Sequence, residues 1–226
     1  MIVIFNGPPG CGKDEAANFF SRSGFKHLTF KEELFKETVK LFNVGMDWFM
    51  KDYNDRSIKE RREDRLRGMS RREAMIHTSE DIIKPKYGKS YFGDQLCKRI
   101  ESNVDYVISD GGFIEEIVPI IGNPMNNNVV IVQLTRENCS YSTDSRKYFN
   151  GTLIKEYISG FYTPIEKEYV QHEKLRLPTF RIHNNGTLEE FHKILGDLMY
   201  IDILTDARKN LEKTTGYADT EYRQSA

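Results

Sequence analysis

The chain has 226 residues, of which 38% are hydrophobic, and its formal net charge is −1. This length and composition suit one α/β core with a small inserted segment, and the near-neutral charge excludes a global basic field that would favour nucleic acid. No apolar stretch is long enough to cross a membrane, and the first residues lack the basic segment of a signal peptide. Because the three cysteines are far apart in sequence, we expect reduced thiols and a cytoplasmic protein.

The first predicted elements are a buried strand and a glycine-rich turn. The apolar run 2–5 predicts the strand, and Gly7, Gly10, Gly12 and Lys13 follow within a G-x-x-x-x-G-K pattern. In this pattern, backbone N–H groups surround phosphate oxygens, the following helix adds its positive N-terminal dipole, and the lysine reaches the β- and γ-phosphates. The segment therefore predicts a nucleotide-phosphate site, the alternative being a Gly-Pro turn without a ligand.

Two further residues of this turn carry chemistry. Asp14 stands where a serine or threonine hydroxyl usually ligates Mg²⁺. A carboxylate is also a hard oxygen ligand, so Asp14 would hold the metal directly or through water; alternatively, it only favours the first helical turn electrostatically. Cys11 lies within the phosphate loop, and its closeness to a helix N-terminus leads us to expect a thiol that ionises more readily than usual.

Helical and strand-like segments alternate along the rest of the chain, which predicts a parallel sheet with helices on both faces. Four more strands are expected after the first, at residues 27–30, 104–109, 129–134 and 179–183. Helices are expected directly after the phosphate loop and at 31–43, 70–83, 91–102 and from 187 onward. Two of these helices begin with a capping box, at 70–73 and at 187–190.

Charged side chains follow the ends of two predicted strands, which is the edge of a parallel sheet where ligands bind. Asp110 ends the third strand, the usual position of an acidic residue that orients Mg²⁺ or its waters; the alternative is a helix cap. Arg136 and Arg146 flank a polar segment after the fourth strand. When such a segment closes over the site, its arginines stabilise the transferring phosphoryl group. The alternative is that both arginines are solvated, as arginines on loops usually are.

Residues 56–72 contain eight basic and three acidic side chains. Arg71 and Arg72 lie at the start of a capped helix, from which either would clamp an acceptor phosphate with forked hydrogen bonds. The alternative is a solvated helix face, which is the usual fate of a charge run.

These motifs together resemble the P-loop nucleoside monophosphate kinases, and in particular the deoxynucleoside monophosphate kinases of tailed bacteriophages and their bacterial relatives. The resemblance is carried by the segments 12–14, 30–36, 70–81, 107–110 and 184–190. It implies a three-layer P-loop kinase fold, with a five-stranded parallel sheet, helices on both faces, and small mobile acceptor-binding and lid segments.

The resemblance also divides the chain. The kinase domain would span residues 1–204, with an acceptor-binding helical region at about 45–100 and a lid at about 136–150. Residues 205–226 would form a polar C-terminal tail.

The implied activity is ATP-dependent phosphorylation of deoxynucleoside monophosphates with Mg²⁺, supplying DNA precursors in the cytoplasm of an infected host. The phosphate loop and Lys13 would bind ATP, with Asn184 and Asn185 beside the adenine. Asp14 and Asp110 would hold the metal, and Lys13, Asp110, Arg136 and Arg146 would serve catalysis. Small-molecule nucleotides would be the partners, and nucleic acid would not. A homodimer is compatible with the resemblance, because relatives dimerise.

The acceptor side departs from the family. Relatives often carry an arginine shortly after the strand-end aspartate, whereas this chain has Gly111 and Gly112. Other cations must therefore hold the acceptor phosphate, and Lys31, Arg71 and Arg72 are the candidates.

Two alternatives stay open: a P-loop kinase for another small metabolite, such as a dephospho-coenzyme A kinase, and a nucleotide-dependent module whose basic stretch contacts nucleic acid. The cationic segment after the fourth strand and the lack of an N-K-x-D base-recognition motif favour a kinase over a switch protein.

Overall fold

The computed structural model describes residues 1–53, 55–123, 128–142, 146–149, 153–158, 161–163 and 178–203. The strands are β1 (Ile2–Asn6), β2 (Lys26–Leu28), β3 (Arg62–Glu63), β4 (Met69–Ser70), β5 (Tyr106–Gly111), β6 (Val129–Thr135), β7 (Leu153–Ile158), β8 (Phe161–Thr163) and β9 (Pro178–His183). The predicted tail at 205–226 lies outside these residues, as do 143–145 and 150 of the predicted lid.

Nine α-helices lie in the described part of the chain: α1 (Lys13–Arg22), α2 (Lys31–Phe42), α3 (Met46–Met50), α4 (Arg56–Glu60), α5 (Arg71–Ile76), α6 (Lys84–Tyr87), α7 (Tyr91–Cys97), α8 (Ile114–Gly122) and α9 (Leu188–Asp197). π-Helical segments join α5 to α6 (His77–Ile83) and follow α9 (Leu198–Ile203). None of the helices in the described ranges is long and apolar enough to span a membrane.

The main sheet has seven strands in the order β2-β5-β1-β6-β9-β7-β8. All neighbouring pairs run parallel except β7 and β8, which are antiparallel. The five predicted strands are confirmed as β2, β5, β1, β6 and β9. The sheet is nevertheless wider than expected, because β7 and β8 extend its edge beyond β9. Lys155 and Glu156 interrupt the apolar pattern of β7, so this strand has no clear sequence signal.

Hydrophobic cores cover both faces of the sheet. Val3 and Phe5 of β1 belong to one core with Phe20 of α1 and Leu195 of α9. The alternate β1 residues Ile2 and Ile4 belong to the other core, together with side chains from α7 and α8. Successive side chains of a strand point to opposite faces, so a fully apolar strand such as β1 must be covered on both sides. This arrangement confirms an α/β sheet surrounded by helices.

A third hydrophobic cluster lies within residues 42–75 and contains Phe42, Phe49, Tyr53, Leu66, Ala74 and Met75. At its edge, the predicted capping box starts α5: the Ser70 hydroxyl accepts a hydrogen bond from the Glu73 backbone N–H, and the Glu73 carboxylate accepts one from Ser70. This cluster packs α2, α3 and α5 into a helical unit.

Two predicted helix boundaries change in the structure. The helix expected at 91–102 ends at Cys97, and the segment expected at 70–83 divides into α5 and a π-helical continuation. The α8 helix, which follows Gly112 and Phe113, was not predicted. The sequence gives no clear helical signal here, because Pro119 lies inside the helix and the mixed apolar pattern around it obscures the helical period.

The closest approach of α7 to α8 depends on Gly93. A Cβ at this position would lie 2.1 Å from the backbone oxygen of Glu116. We therefore expect Gly93→Ala to lower the free energy of unfolding by about 1–3 kcal/mol, since the helices must move apart. Urea unfolding measures this change, with Gly122→Ala as the control because a Cβ there meets nothing within 4 Å. Equal stability of the two variants would contradict the close packing.

Candidate active site

Residues 7–13, the phosphate loop predicted from the sequence, connect β1 to α1 through left-handed glycines. Gly10 and Gly12 have φ angles of 82° and 103°, and α1 begins immediately after, at Lys13. A Cβ on Gly12 would also lie 2.5 Å from the Asn184 side-chain nitrogen. Glycine is thus required at position 12 both by backbone conformation and by space. The loop leads directly into a helix N-terminus, which is the arrangement that binds phosphate.

Lys13 folds back over the loop. Its Nζ donates a hydrogen bond to the Pro8 carbonyl at 2.7 Å and lies 3.8 Å from the Cys11 sulfur. Burial lowers the pKa of Lys13, and the positive charges of Arg146 and Lys31 act in the same direction. No carboxylate among the described residues lies within 4 Å of this ammonium group. Lys13 is therefore available to an anion that enters the loop.

Cys11 differs from the sequence expectation. Its side chain is fully buried in the core beneath the loop. Burial raises the pKa of the thiol, and this effect exceeds the opposing influence of Lys13. The expectation of a readily ionised thiol was wrong, because burial in the apolar core outweighs the lowering of the thiol pKa by Lys13, whose charge and backbone N–H both act on it.

The two asparagines after β9 have separate positions. The Asn184 side chain is buried and donates a hydrogen bond to the Cys11 carbonyl at 3.0 Å, so it braces the phosphate loop from inside. Asn185 lies at the surface, where its side-chain oxygen accepts a hydrogen bond from the Glu137 backbone N–H at 2.8 Å. A place beside the adenine remains a prediction for both residues.

Asp110 connects the end of β5 to the start of α2. Its two carboxylate oxygens accept hydrogen bonds from the backbone N–H groups of Phe30 and Lys31, each at 3.0 Å. Asp110 therefore makes the contacts expected of a helix cap, which was the alternative considered from the sequence. The carboxylate also lines a cleft, so capping does not remove it from the candidate site.

Asp14 is exposed in the first turn of α1. The described residues contain no cluster of three or more His, Cys, Asp or Glu side chains that would hold a metal ion unaided. Asp14 and Asp110 nevertheless have the hard oxygen donors that Mg²⁺ prefers, and bound phosphate and water oxygens usually complete its shell. The donor set fits a metal that arrives with a nucleotide.

A cleft of about 300 Å³ opens beside Asp110, between α2, α5 and the strand ends. Four cationic side chains line this central cleft: Lys31, Lys59, Arg72 and Arg146. Burial lowers the pKa of Lys59, and Lys31, Arg72 and Arg146 lower it further, which shows that the positive charges lie close together. Among the described residues, neither Lys31 nor Lys59 has a carboxylate within 4 Å.

Arg146 reaches the cleft because Gly112 has no side chain. A Cβ on Gly112 would lie 2.2 Å from Cδ of Arg146. Gly112 therefore makes space for an arginine from elsewhere in the chain. Arg136, in contrast, is exposed and is not among the residues that line the cleft.

Arg71 and Arg72 are separated by the fold. Arg71 is 3% exposed and donates hydrogen bonds to the backbone oxygens of Lys51 and Trp48, at 2.7 and 3.2 Å. Its guanidinium also lies over the Trp48 ring. Arg72 lines the cleft and pairs loosely with Glu60 at 3.4 Å. The structure thus directs Arg71 into the helical unit and brings only Arg72 to the candidate acceptor side.

Asn6 is a residue that the sequence reasoning missed. It is completely buried, and its amide nitrogen lies within hydrogen-bonding distance of the backbone oxygens of Gly111 (3.0 Å) and Lys147 (2.9 Å). Its side-chain oxygen accepts a hydrogen bond from the Phe149 backbone N–H at 2.9 Å. Asn6 thereby fastens the segment 146–149, which carries Arg146, to the ends of β1 and β5. A lone asparagine after an apolar run gives no signal of this role.

Glu116 and Lys59 were also missed. Glu116 is 6% exposed and lines the central cleft, and burial raises its pKa to about 8. Lys84 opposes this rise, whereas Asp110, Glu80 and Glu115 support it. In the sequence, Lys59 is one of many basic residues and Glu116 is one of two adjacent acids. Only tertiary contacts distinguish each of them from its charged neighbours.

Comparison with protein-family models finds no match, and comparison with curated proteins finds no significant match either.

Replacing Arg71 tests its buried position. Arg71→Ala leaves the carbonyls of Lys51 and Trp48 without their charged donor, so we expect the free energy of unfolding to fall by roughly 3 kcal/mol. Arg72→Ala is the matched control, because a half-exposed pair with Glu60 contributes at most about 1 kcal/mol. Chemical denaturation of both variants measures the difference. Comparable small losses would place Arg71 at the surface.

The raised pKa of Glu116 predicts a pH dependence of stability. Between about pH 4.5 and pH 8 the native protein holds a proton on Glu116 that the unfolded chain releases, so stability falls as pH rises through this window. Glu116→Gln should remove this fall, which is worth at most about 4–5 kcal/mol. Urea unfolding at a series of pH values tests this, with Glu115→Gln expected to keep the wild-type slope. An unchanged slope in Glu116→Gln would refute the assignment.

Proposed function

We propose that this protein transfers the γ-phosphoryl group of ATP to the phosphate of a deoxynucleoside monophosphate. The observation that carries the proposal is the group of cations beside the phosphate loop. Lys31, Lys59, Arg72 and Arg146 come from separate parts of the chain and line one cleft. Neighbouring positive charges repel one another, so this group of cations is stabilised when an anion binds between them.

Electrostatics also connects the cleft to the phosphate loop. Arg146 and Lys31 both act on Lys13, and they also act on Lys59. The cations of the cleft therefore lie near the loop, where a nucleotide donor would bind, and a second phosphate would enter beside it. Two adjacent phosphate sites are what a phosphoryl transfer between nucleotides requires.

In the proposed reaction, the loop N–H groups and Lys13 hold the β- and γ-phosphates of ATP. Lys31, Lys59 and Arg72 hold the acceptor phosphate, and Arg146 neutralises charge on the moving group. An acceptor phosphate oxygen forms the new bond to the γ-phosphorus, while the bond from that phosphorus to the β–γ bridging oxygen breaks and ADP leaves. Positioning and charge stabilisation supply the catalysis.

Asp14 and Asp110 are the residues that would hold Mg²⁺ in this site. The metal, when bound with the nucleotide, supplies further neutralisation of phosphate charge.

The walls of the cleft favour a nucleotide over a small phosphorylated metabolite without a ring. The partly exposed ring of Phe113 lines it together with the edges of the core residues Phe30, Tyr53 and Phe92, and such an apolar wall suits a nucleobase. In the infected-cell setting implied by the sequence resemblance, the products would supply DNA synthesis.

The basic stretch argues against the nucleic-acid alternative. Arg61 and Arg62 pair with acidic residues at 2.7 and 3.2 Å, and Arg71 is buried. Because these three basic side chains are already paired or buried, we expect no steep salt-dependent binding of nucleic acid.

A coupled assay of ADP release, run with each deoxy- and ribonucleoside monophosphate, tests the proposed function. We expect turnover that requires both ATP and at least one of these acceptors. ATP consumption that no nucleoside monophosphate stimulates would overturn the proposal.

Replacing Lys13 and Lys59 separates the two phosphate sites. Lys13→Ala should lower kcat/KM by about a hundredfold or more, because it removes charge stabilisation of the transferring group. Lys59→Ala should raise the acceptor KM by about tenfold while leaving ATP affinity unchanged. Steady-state kinetics and ATP titration measure these effects. Lys40→Ala, at an exposed position of α2, is the control and should match the wild type.

A further inference from the structure

The central cleft is lined by acidic side chains in addition to its cationic group. Glu116, Glu80 and Ser79 line it together with the aromatic rings of Phe92 and Phe113. The Ser79 hydroxyl donates a hydrogen bond to the Glu80 carboxylate at 2.9 Å, so these two polar groups satisfy each other. Glu116 has no such partner.

Glu116 is 6% exposed, and its carboxyl group, which lines the cleft, accepts no hydrogen bond from any described residue. Its nearest opposite charge is the Lys84 ammonium at 4.0 Å, and that group donates to Glu80 at 2.7 Å and lies over the Phe113 ring. A carboxyl group that lines a cleft without a hydrogen-bond partner from the protein is available to a ligand.

The position of Glu116 is fixed by its backbone. Gly93 of α7 packs directly against the Glu116 carbonyl, and the α8 helix carrying Glu116 starts just beyond Asp110 and Gly112. Burial favours the protonated acid, since its pKa is raised to about 8. At neutral pH the side chain thus offers one O–H donor and one carbonyl acceptor side by side.

We propose that Glu116 binds the edge of the acceptor nucleobase and thereby determines which nucleotides the cleft accepts. The inference rests on the proposed function. A base stacked among the apolar side chains would place a neighbouring donor and acceptor opposite the carboxyl group, while its phosphate reaches Lys31, Lys59 and Arg72. An acceptor without a base would leave the carboxyl group unpaired, and such a site rejects it.

The test compares the acceptor kinetics of the wild type with those of Glu116→Gln, Glu116→Met and Glu116→Asp. Each protein is assayed with the four deoxynucleoside monophosphates and with 2-deoxyribose 5-phosphate, which has no base. The readout is the ratio of kcat/KM for the preferred nucleotide to that for the abasic acceptor, because a general loss of structure would lower both.

We expect Glu116→Gln to keep the wild-type ratio, because an amide also offers a donor and an acceptor. Glu116→Met removes both groups at similar volume, and Glu116→Asp withdraws the carboxyl group by one methylene. Each should lower the ratio by tenfold or more, with ATP affinity unchanged. Glu115→Ala is the control on the same helix.

A wild-type ratio that survives in Glu116→Met, or in Glu116→Asp if the first variant does not fold, would overturn the inference and leave the proposed function standing. Equal use of the abasic acceptor by the wild type would also overturn it. Failure of the wild type to phosphorylate any nucleoside monophosphate would instead overturn the proposed function.

Discussion

The parallel pairing of β1 with β5 on one side and β6 on the other is the constraint on which the candidate site depends. In this register Asn6 lies opposite Gly111 and Gln133, so three strands end at the same edge of the sheet. The phosphate loop leaves β1 there, Asp110 lies at the end of β5, and the chain toward Arg146 leaves β6. Residues far apart in sequence meet because parallel strands end together.

Buried polar groups hold this edge in place. Asn6 joins β1 and β5 to the segment of Arg146, Asp110 joins β5 to α2, and Asn184 joins the chain after β9 to the phosphate loop. Each amide or carboxylate uses backbone groups as partners. Buried groups of this kind are costly to leave unpaired, so they fix the loops that they connect. The cations are therefore carried on anchored segments, which is the preorganisation that a phosphate site needs.

The charged groups of the central cleft oppose folding in the free protein. The cations at Lys31 and Lys59 repel one another, and the Glu116 carboxyl group is buried away from water. Both arrangements cost stability in the free protein and gain a partner when a ligand enters. Such departures from the most stable arrangement are concentrated at functional sites. Under the proposed function, the acidic and cationic groups of the lining would give a nucleotide one orientation, with its phosphate toward the cations.

Local patterns determined much of this protein. The apolar runs of β1, β5 and β6, the glycine-rich turn before α1 and the capping boxes of α5 and α9 all act over a few residues, and the sequence predicts them correctly. Tertiary structure alone decided which charged residues matter. Arg71 and Arg72 are neighbours with the same chemistry, yet helix geometry points one into the core and the other into the cleft. Arg146 and Glu116 gain their positions from contacts with distant backbone at Gly112 and Gly93, which no local pattern encodes.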